Sequence, residues 1–580
     1  MIFVVALAIF RLSPLHPIND SKYTMMLSQC LLEHRSFQLD HYAIPRLPPI
    51  KGEDYIHNGD IYQIEQVGPH LYYVLPPGTS VLSLPFVSVA NALGVSAVNP
   101  DGTLNLKGET TIEAWLAAIL MAALASIFFY TAELLLPLPL ALLLTTGASL
   151  GTQIWSTTSR AMFTDTWAVL LLALVIFRLL SHASRGSKLR PVLIASLLAW
   201  AYLVYPTYAT HVVTITAYLL LVFNARQLLA YFLTGICWAS GLVIYSWHNF
   251  GHILPSYFRP GRLFYRSFHN ALVGNMISPS RGLLIYVPAI FFVVYLLIRF
   301  RKYLSHRKLV GAALVAIFFH WIAISGIGHW WGGHGYGPRY TTGMIPWFFL
   351  LAILGMKAML AGNKTKPAVS VLRRRAVAFS GIVLAAASVW INGRGAISLA
   401  TSEWNSRPMN IDTHPERIWD WRQPQFLAGL LPPPAPDFPL IEPGTRIDFT
   451  QDASEKYLWY GWSNAETDFR WTDSSSAAIV FALSENKPAA LQIAMAPFLA
   501  PGKLDEQTVI VNLNGEIIAT LSLITSETQV YSINLPLNVL RQKNVLKFEM
   551  PNAAAPVSFN LNEDRRPLGI RVAYAQFSNE

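Results

Sequence analysis

Charged residues make up only 13% of this chain, so each one beside an apolar run calls for a reason. Asp20, in HPINDSKYTMML, follows the apolar opening of the chain by a few residues. A carboxylate at such a boundary can take a proton from a hydroxyl that approaches a membrane-anchored substrate, which is general-base chemistry. It can equally cap a helix or snorkel at its end, so position alone leaves both roles open. Arg281 follows Ser278-Pro279-Ser280, and Arg339 sits in GYGPRY among glycines that let backbone approach a ligand closely. A guanidinium there binds phosphate oxygens in pairs through its planar fork, or snorkels to an interface. His329 and His334 flank Trp330-Trp331-Gly332-Gly333, a spacing that suits metal binding or donation to phosphate and equally an interfacial aromatic belt. Asp165, in SRAMFTDTW, is a further carboxylate, read as a second acid, a metal ligand or a helix N-cap.

The elements that must position these groups are membrane-type helices. At 580 residues, 53% of them hydrophobic and with a mean hydropathy of +0.38, the chain is too apolar for an ordinary soluble protein. Stretches such as Ile112 to Tyr130, Trp167 to Leu180 and Leu228 to Tyr245 approach the roughly 20 residues that cross hydrocarbon as a helix. Hydropathy predicts about eleven spans, near 1–13, 113–132, 134–150, 166–181, 191–205, 209–223, 228–247, 283–298, 309–327, 341–361 and 376–392.

The formal charge of +10 lies in short segments between the spans: Arg185, Lys188 and Arg190; Arg226; Arg299, Arg301, Lys302, Arg307 and Lys308; Lys364, Lys366, Arg373, Arg374 and Arg375. None of these segments contains Asp or Glu, as expected of cytoplasmic loops, so the basic balance reads as topology and no nucleic-acid partner is expected. With the N-terminus inside, the loop 14–112, the segments 151–165, 248–282 and 328–340, and everything after 393 fall outside. All polar-rich regions except the basic loops then share one face. An enzyme working at the outer membrane surface needs that arrangement, whereas a transporter distributes polar groups near the midplane.

Within the first loop, PPGTSVLSLPF is too short to span and too apolar for water, so it is predicted to lie on or dip into the membrane surface and shape a groove for a lipid. Tyr62, Tyr72 and Tyr73 around it could stack on sugar rings or anchor at the interface. Cys30 and Cys237 are far apart and indicate neither a disulfide framework nor a thiolate metal site. The opening MIFVVALAIF has no basic leader or cleavage site and is short for a span, so either the chain begins inside its first helix or its start is misassigned.

After the last span, the Pro-rich stretch Leu430 to Pro443 reads as an extended connector. Beyond it AAIVFAL, TVIVNL, EIIATLSL, VLKFEM and GIRVAYAQF read as strands, with Asn514-Gly515 a hairpin turn. The expected organisation is a polytopic α-helical membrane part, 1–395, a connector, 396–444, and an all-β sandwich, 445–580. Trp459, Trp462 and Trp471 are read either as glycan-binding aromatics or as core and docking residues.

NDSKYTMMLSQCLLEHRSFQLD, YYVLPPGTSVLSLPF, GNMISPSRGLLIYVP and WWGGHGYGPRYTTGMIPWF occur in that order on the outer side. Together they resemble bacterial GT-C glycosyltransferases of the family 39 type, the phospholipid-carrier-dependent relatives of protein mannosyltransferases, over about residues 1–395. The resemblance implies a multi-pass protein of the bacterial inner membrane whose site opens to the periplasm. There a sugar passes from a polyprenyl-phosphate donor to a hydroxyl of a glycan, lipid or protein, with Asp20 as the catalytic carboxylate. Many relatives carry an Asp-Glu pair at that point, and this chain has Asn19-Asp20-Ser21. Arg281, Arg339, Tyr340, His334, Lys22 and Tyr23 make up the candidate phosphate- and substrate-binding set. A divalent metal, with Asp165 as a ligand, is compatible with the sequence and not required by it. The β region looks like the galactose-binding jelly-roll modules appended to some membrane glycosyltransferases. The rival expectation is a non-catalytic transporter or flippase for lipid-linked glycans.

Overall fold

The structure, a computed structural model, describes residues 1–44, 62–259, 267–365, 371–406, 410–412, 414–431, 437–442, 444–483, 489–559, 561, 564 and 566–579. The helices are α1 (Ile2–Leu12), α2 (Thr24–Glu33), α3 (Gly78–Ala92), α4 (Leu106–Glu133), α5 (Leu138–Leu150), α6 (Thr164–Arg185), α7 (Pro191–Val204), α8 (Ala209–Leu220), α9 (Ala225–Phe250), α10 (Phe268–Ile277), α11 (Leu283–Tyr286), α12 (Ala289–Arg299), α13 (Arg307–Ser325), α14 (Ile345–Thr365), α15 (Val371–Ile397) and α16 (Leu399–Glu403).

Six helical segments among the described residues are long and apolar enough to cross a membrane: Leu106–Glu133, Thr164–Arg185, Ala225–Phe250, Arg307–Ser325, Arg339–Gly362 and Arg375–Ile397. They coincide with six of the eleven expected spans. Of the other five, 1–13, 134–150, 191–205 and 283–298 contain shorter apolar helices and 209–223 contains α8. Hydropathy sees the apolar run, but proline sets the helix length. Pro288 splits 283–298 into α11 and α12, and the 11 residues of α1 reach only about 16 Å at 1.5 Å per residue. PPGTSVLSLPF becomes the start of α3, a 15-residue helix with Pro85 inside it.

Burial separates the helices into layers. The apolar windows of α4, α6 and α14 are 67–72% buried, whereas those of α9 and α15 are 11% and 22% buried. The outer two present Ile236, Ile244, Trp247, Phe379, Ile382 and Trp390 outward, an apolar surface that suits hydrocarbon.

Side-chain contacts draw the predicted outer loops together. Trp155 Nε1 donates to Ser13 Oγ at 3.1 Å, His16 Nδ1 pairs with the Arg160 carbonyl at 3.0 Å, and the Arg160 guanidinium donates to the carbonyls of Phe10 and Leu15. Tyr72 packs on Phe250, and Thr157 Oγ1 donates to the Tyr336 carbonyl. Basic segments also meet: Gly362 abuts Phe300 and Tyr303, where the turn after α12 passes the end of α14. Lys366 lies outside the described residues, as do the side chains of Lys364, Arg373 and Arg374.

The chain divides into two compact units, Met1–Ser402 with Pro415–Ala428, and Glu403–His414 with Gly429–Glu580. A two-stranded ribbon, β1 (Ile64–Val67) and β2 (His70–Tyr73), belongs to the first. The second contains β3 (Leu440–Ile441), β4 (Arg446–Asp448), β5 (Leu458–Tyr460), β6 (Trp462–Ala465), β7 (Arg470–Thr472), β8 (Ser476–Leu483), β9 (Ala489–Pro497), β10 (Gln507–Leu513), β11 (Glu516–Leu523), β12 (Gln529–Leu535), β13 (Lys543–Glu549) and β14 (Ile570–Asn579). One sheet runs β11-β10-β13-β8-β3 with β5 also on β8; the other runs β12-β9-β14-β7-β6 with β4 on β14. Their inner faces share one core that includes Ile479, Phe481, Ile493, Val511, Phe548 and Ile570.

Burial alternates residue by residue along β10, the mark of a strand with one face in the core. Asn514 and Gly515, at φ 53° and 100°, make the tight turn to β11. The expected connector is partly structured: Leu440–Ile441 pairs with β8, and residues 432–436 lie outside the described part. Trp462 is a core residue, donating from Nε1 to the Ala478 carbonyl at 2.8 Å and packing on Phe449 and Phe548, whereas Trp459 and Trp471 are half-buried.

Candidate active site

Asp20 lies in the short turn between α1 and α2, and its main chain is pinned from several directions. Tyr73 Oη donates to the Asp20 carbonyl at 3.0 Å, and Gln63 Nε2 donates to the Asn19 carbonyl at 2.8 Å. Tyr23 then takes a left-handed conformation, φ 73°, and supplies no side-chain cap to α2. The first free amides of that helix would be orphaned. Glu109, in the first turn of α4, takes them instead: its Oε1 accepts from Met25 N at 2.8 Å and its Oε2 from Met26 N at 3.0 Å.

Four residues on, Glu113 Oε2 accepts from Met162 N at 2.9 Å. Residues four apart share a helix face. One turn of α4 therefore holds both the segment after Asp20 and the segment that ends at Phe163.

Phe163 matters because the Arg339 guanidinium lies over its ring at 4.3 Å. Arg339 Nη2 forms an ion pair with Asp20 Oδ2, and the other carboxylate oxygen accepts from Tyr62 Oη at 2.5 Å. The arginine side chain is 6% exposed and the aspartate 28%, so solvent reaches the pair from the carboxylate side. Partial burial, and then the adjacent Asp20 charge, push the Tyr62 phenol above its ordinary range, so it stays a proton donor to the carboxylate. Arg339 Nε is buried and makes no hydrogen bond.

The loop before Arg339 is held from two sides. Gln153, ahead of the short π-helical turn Ile154–Thr158, donates to the Pro338 carbonyl at 3.4 Å, and Tyr336 Oη donates to the Ile391 carbonyl at 2.6 Å. Gly337 is at φ 58°, and a Cβ there would lie 2.6 Å from the Tyr286 ring, so conformation and space both require glycine.

The other candidate residues are placed as follows. Arg281, 1% exposed, donates from Nε to the Trp331 carbonyl at 2.7 Å, from Nη1 to the Ser280 carbonyl at 2.8 Å and to Gln425 Oε1, and from Nη2 to the Gly333 carbonyl at 3.2 Å. Its fork thus organises the 331–333 turn, while Arg339 is the arginine on Asp20. His334 is half-buried, and His329 is exposed with its ring edge-on to Trp331. The Tyr340 ring lies beside the Arg339 guanidinium, 5.6 Å to its centroid, and Lys22 lies over the ring of buried Tyr23 at 5.4 Å.

Asp165 is not the N-cap of α6, a position held by Phe163 without a side-chain bond. It is 1% exposed, with the Arg339 guanidinium and the Tyr208 hydroxyl as its polar neighbours. Among the described residues no group of three or more His, Cys, Asp or Glu is arranged to hold a metal ion.

Glu109, Glu113 and Gln425 are not among the residues that the sequence singles out. For the glutamates a signal was available, since GETTIEAW puts two acids four apart where a charge-free span begins. The stacked pair His211 and His320, ring centroids 4.6 Å apart beside Tyr208, is a further buried polar group on apolar helices.

No family model matches this chain. No curated protein matches it either. Among solved structures, it is similar to a family GH115 4-O-methyl-alpha-glucuronidase with specificity for decorated arabinogalactans, at 10% identity over 70% of this chain and 44% of that one, with a TM-score of 0.15. The chain spans less than half the length of that enzyme, and a score so low carries no argument about fold or activity.

Proposed function

We propose that this protein is a membrane glycosyltransferase of GT-C type that moves a sugar from a polyprenyl-phosphate donor to an acceptor hydroxyl. The observation that carries the reading is the Asp20–Arg339 pair, which joins a carboxylate and a guanidinium 319 residues apart in the chain. The reaction needs a base and a phosphate-binding cation on the same substrate.

In the step proposed, the acceptor hydroxyl oxygen forms a bond to the anomeric carbon while the bond from that carbon to the phosphate oxygen breaks. The hydroxyl proton passes to the Asp20 carboxylate. The electron pair leaves with the lipid phosphate, whose growing charge Arg339 offsets. Tyr62 holds the carboxylate in line, and Tyr340, His334, Lys22 and Tyr23 are the candidate sugar and phosphate contacts. Arg281 serves this site by shaping the loop.

In this reading α1, α5, α7, α8 and the pair α11–α12 complete the eleven spans, with α3 at the membrane surface. The Asp20 end faces the periplasm because the basic segments lie at the opposite helix ends. The second unit is read as a jelly roll, with half-buried Trp459 and Trp471 as its candidate glycan contacts. A flippase would need its acids mid-span, whereas Glu109 and Asp165 stand in the first turns of their helices, which supports transfer. The test is the glycolipid and cell-envelope glycan profile of a deletion strain complemented with wild type or Asp20→Asn. Restoration of a missing glycan by wild type alone is expected, and restoration by both would refute the role of Asp20.

A further inference from the structure

We propose that Gln425 is a positioning residue for the Arg339 loop, and that Pro415–Ala428 acts as a strap on that loop, an inference that rests on Arg339 being the phosphate-binding group. Gln425 is 0% exposed. Its Oε1 accepts from Gly337 N at 3.0 Å and from Arg281 Nη1, and its Nε2 donates to the Gly335 carbonyl at 3.2 Å and the Thr401 carbonyl at 2.9 Å. A glutamine amide has two acceptor and two donor positions, and all four are used. Turning the amide over would set donors against donors and oxygen against carbonyls, so the partners admit one orientation. The Gln425 main-chain N–H also donates to Ser280 Oγ at 3.2 Å.

The strap is anchored independently of the loop it holds. Arg394, on α15, donates from Nε to the Phe426 carbonyl at 3.3 Å and from Nη2 to the Ala428 carbonyl at 2.5 Å. The Phe426 ring stands edge-on to Tyr286, the residue that walls Gly337. Gly335 and Gly337, the two loop residues that Gln425 binds, precede Arg339 by four and two positions, and a Cβ at Gly335 would lie 3.3 Å from Arg339 Cδ. Glycine-rich chain has little stiffness of its own. Gly335 and Gly337 have no side chains to hold them, so the amide adds the hold on their main chain that Tyr336 between them, bonded to the Ile391 carbonyl, does not give. The strap is also a detour in the chain: Glu403–His414 before it and Gly429–Glu580 after it belong to the second unit.

The test uses the full chain in detergent or nanodiscs with two variants. Gln425→Met keeps length and removes every side-chain polar contact, while Gln425→Glu keeps the acceptors for Gly337 and Arg281 and loses the donors to Gly335 and Thr401. Amide hydrogen exchange is read on peptides covering 332–340, with peptides from α4 and α6 as references. We expect exchange at 335–339 to rise about 10-fold or more in Gln425→Met and less in Gln425→Glu, with the reference peptides unchanged. Unchanged exchange at 335–339 would overturn the strap, and so would an equal rise in the reference peptides, since that would make Gln425 an ordinary packing residue. Affinity for a polyprenyl monophosphate is measured alongside and is expected to fall about 10- to 100-fold in Gln425→Met. Affinity equal to wild type in that variant would overturn the positioning role. If the wild-type protein itself failed to bind that lipid, the glycosyltransferase reading would fall while exchange still decided the strap.

Discussion

Replacing Glu109 should loosen the segment that carries Asp20 before it harms the rest of the protein. Glu109 binds Met25 N and Met26 N with its two oxygens, and the N-cap residue of α2 gives no help. In Glu109→Gln one oxygen remains and the other becomes an NH2 group facing a buried N–H. Leaving that donor unsatisfied costs about 1–3 kcal/mol, all of it local to the start of α2. A loss of that size raises the population of the opened segment roughly 5- to 140-fold, at tenfold per 1.4 kcal/mol. Trypsin cleavage at Lys22 reports it directly, because the bond is protected only while the turn is closed. Glu109→Gln should be cut at Lys22 far faster than wild type, with cleavage at Arg226 unchanged. Equal cleavage rates at Lys22 would show that Glu109 does not hold this segment.

Acid should weaken the junction between α1 and the 151–165 segment. Burial, together with the charges of Arg160 and Arg11, holds His16 at about 4, below the ordinary 6.5, against a raising effect of the Arg160 carbonyl. The unfolded chain then binds the proton more readily, so this contribution is present above pH 6.5 and is lost as pH falls from 6.5 to about 4. Thermal unfolding in that window should fall less steeply for His16→Gln than for wild type. Trp462→Ala, which empties a site between Phe449 and Phe548, should destabilise the β unit by about 3–5 kcal/mol, read by its unfolding transition. Single cysteines at 68 and 465 should be labelled from outside intact cells and one at 302 should not. Labelling at 302 would reverse the orientation.

What could be read from the sequence was set by contrast. Asp20 and Arg339 stood out because each is a charge beside apolar or glycine-rich chain, and the two meet in an ion pair. Arg281 stood out for the same reason, yet its fork binds main-chain carbonyls, because a buried turn needs donors as much as a phosphate does. Glu113 was absorbed into the apolar window of the 113–132 span, and Glu109 fell at the end of the outer loop before it. Gln425 had no contrast at all, being one polar residue in a polar segment whose role arises only from long-range folding. Asn514-Gly515 was legible because its backbone demand is local, while the break in 283–298 turns on Pro288, which hydropathy does not weigh.

The ion pair also changes what the decisive measurement must control. Asp20→Asn removes the partner of a buried arginine, so some stability is lost along with the base. Tyr62→Phe is the matching control, since it deletes the other contact of the same carboxylate and leaves the base in place. With purified, folded proteins, sugar transfer from a polyprenyl-phosphate donor is predicted to fall about 10²- to 10⁴-fold in Asp20→Asn and less than about 10-fold in Tyr62→Phe. Transfer by Asp20→Asn at a near wild-type rate would contradict the assignment of Asp20 as the base.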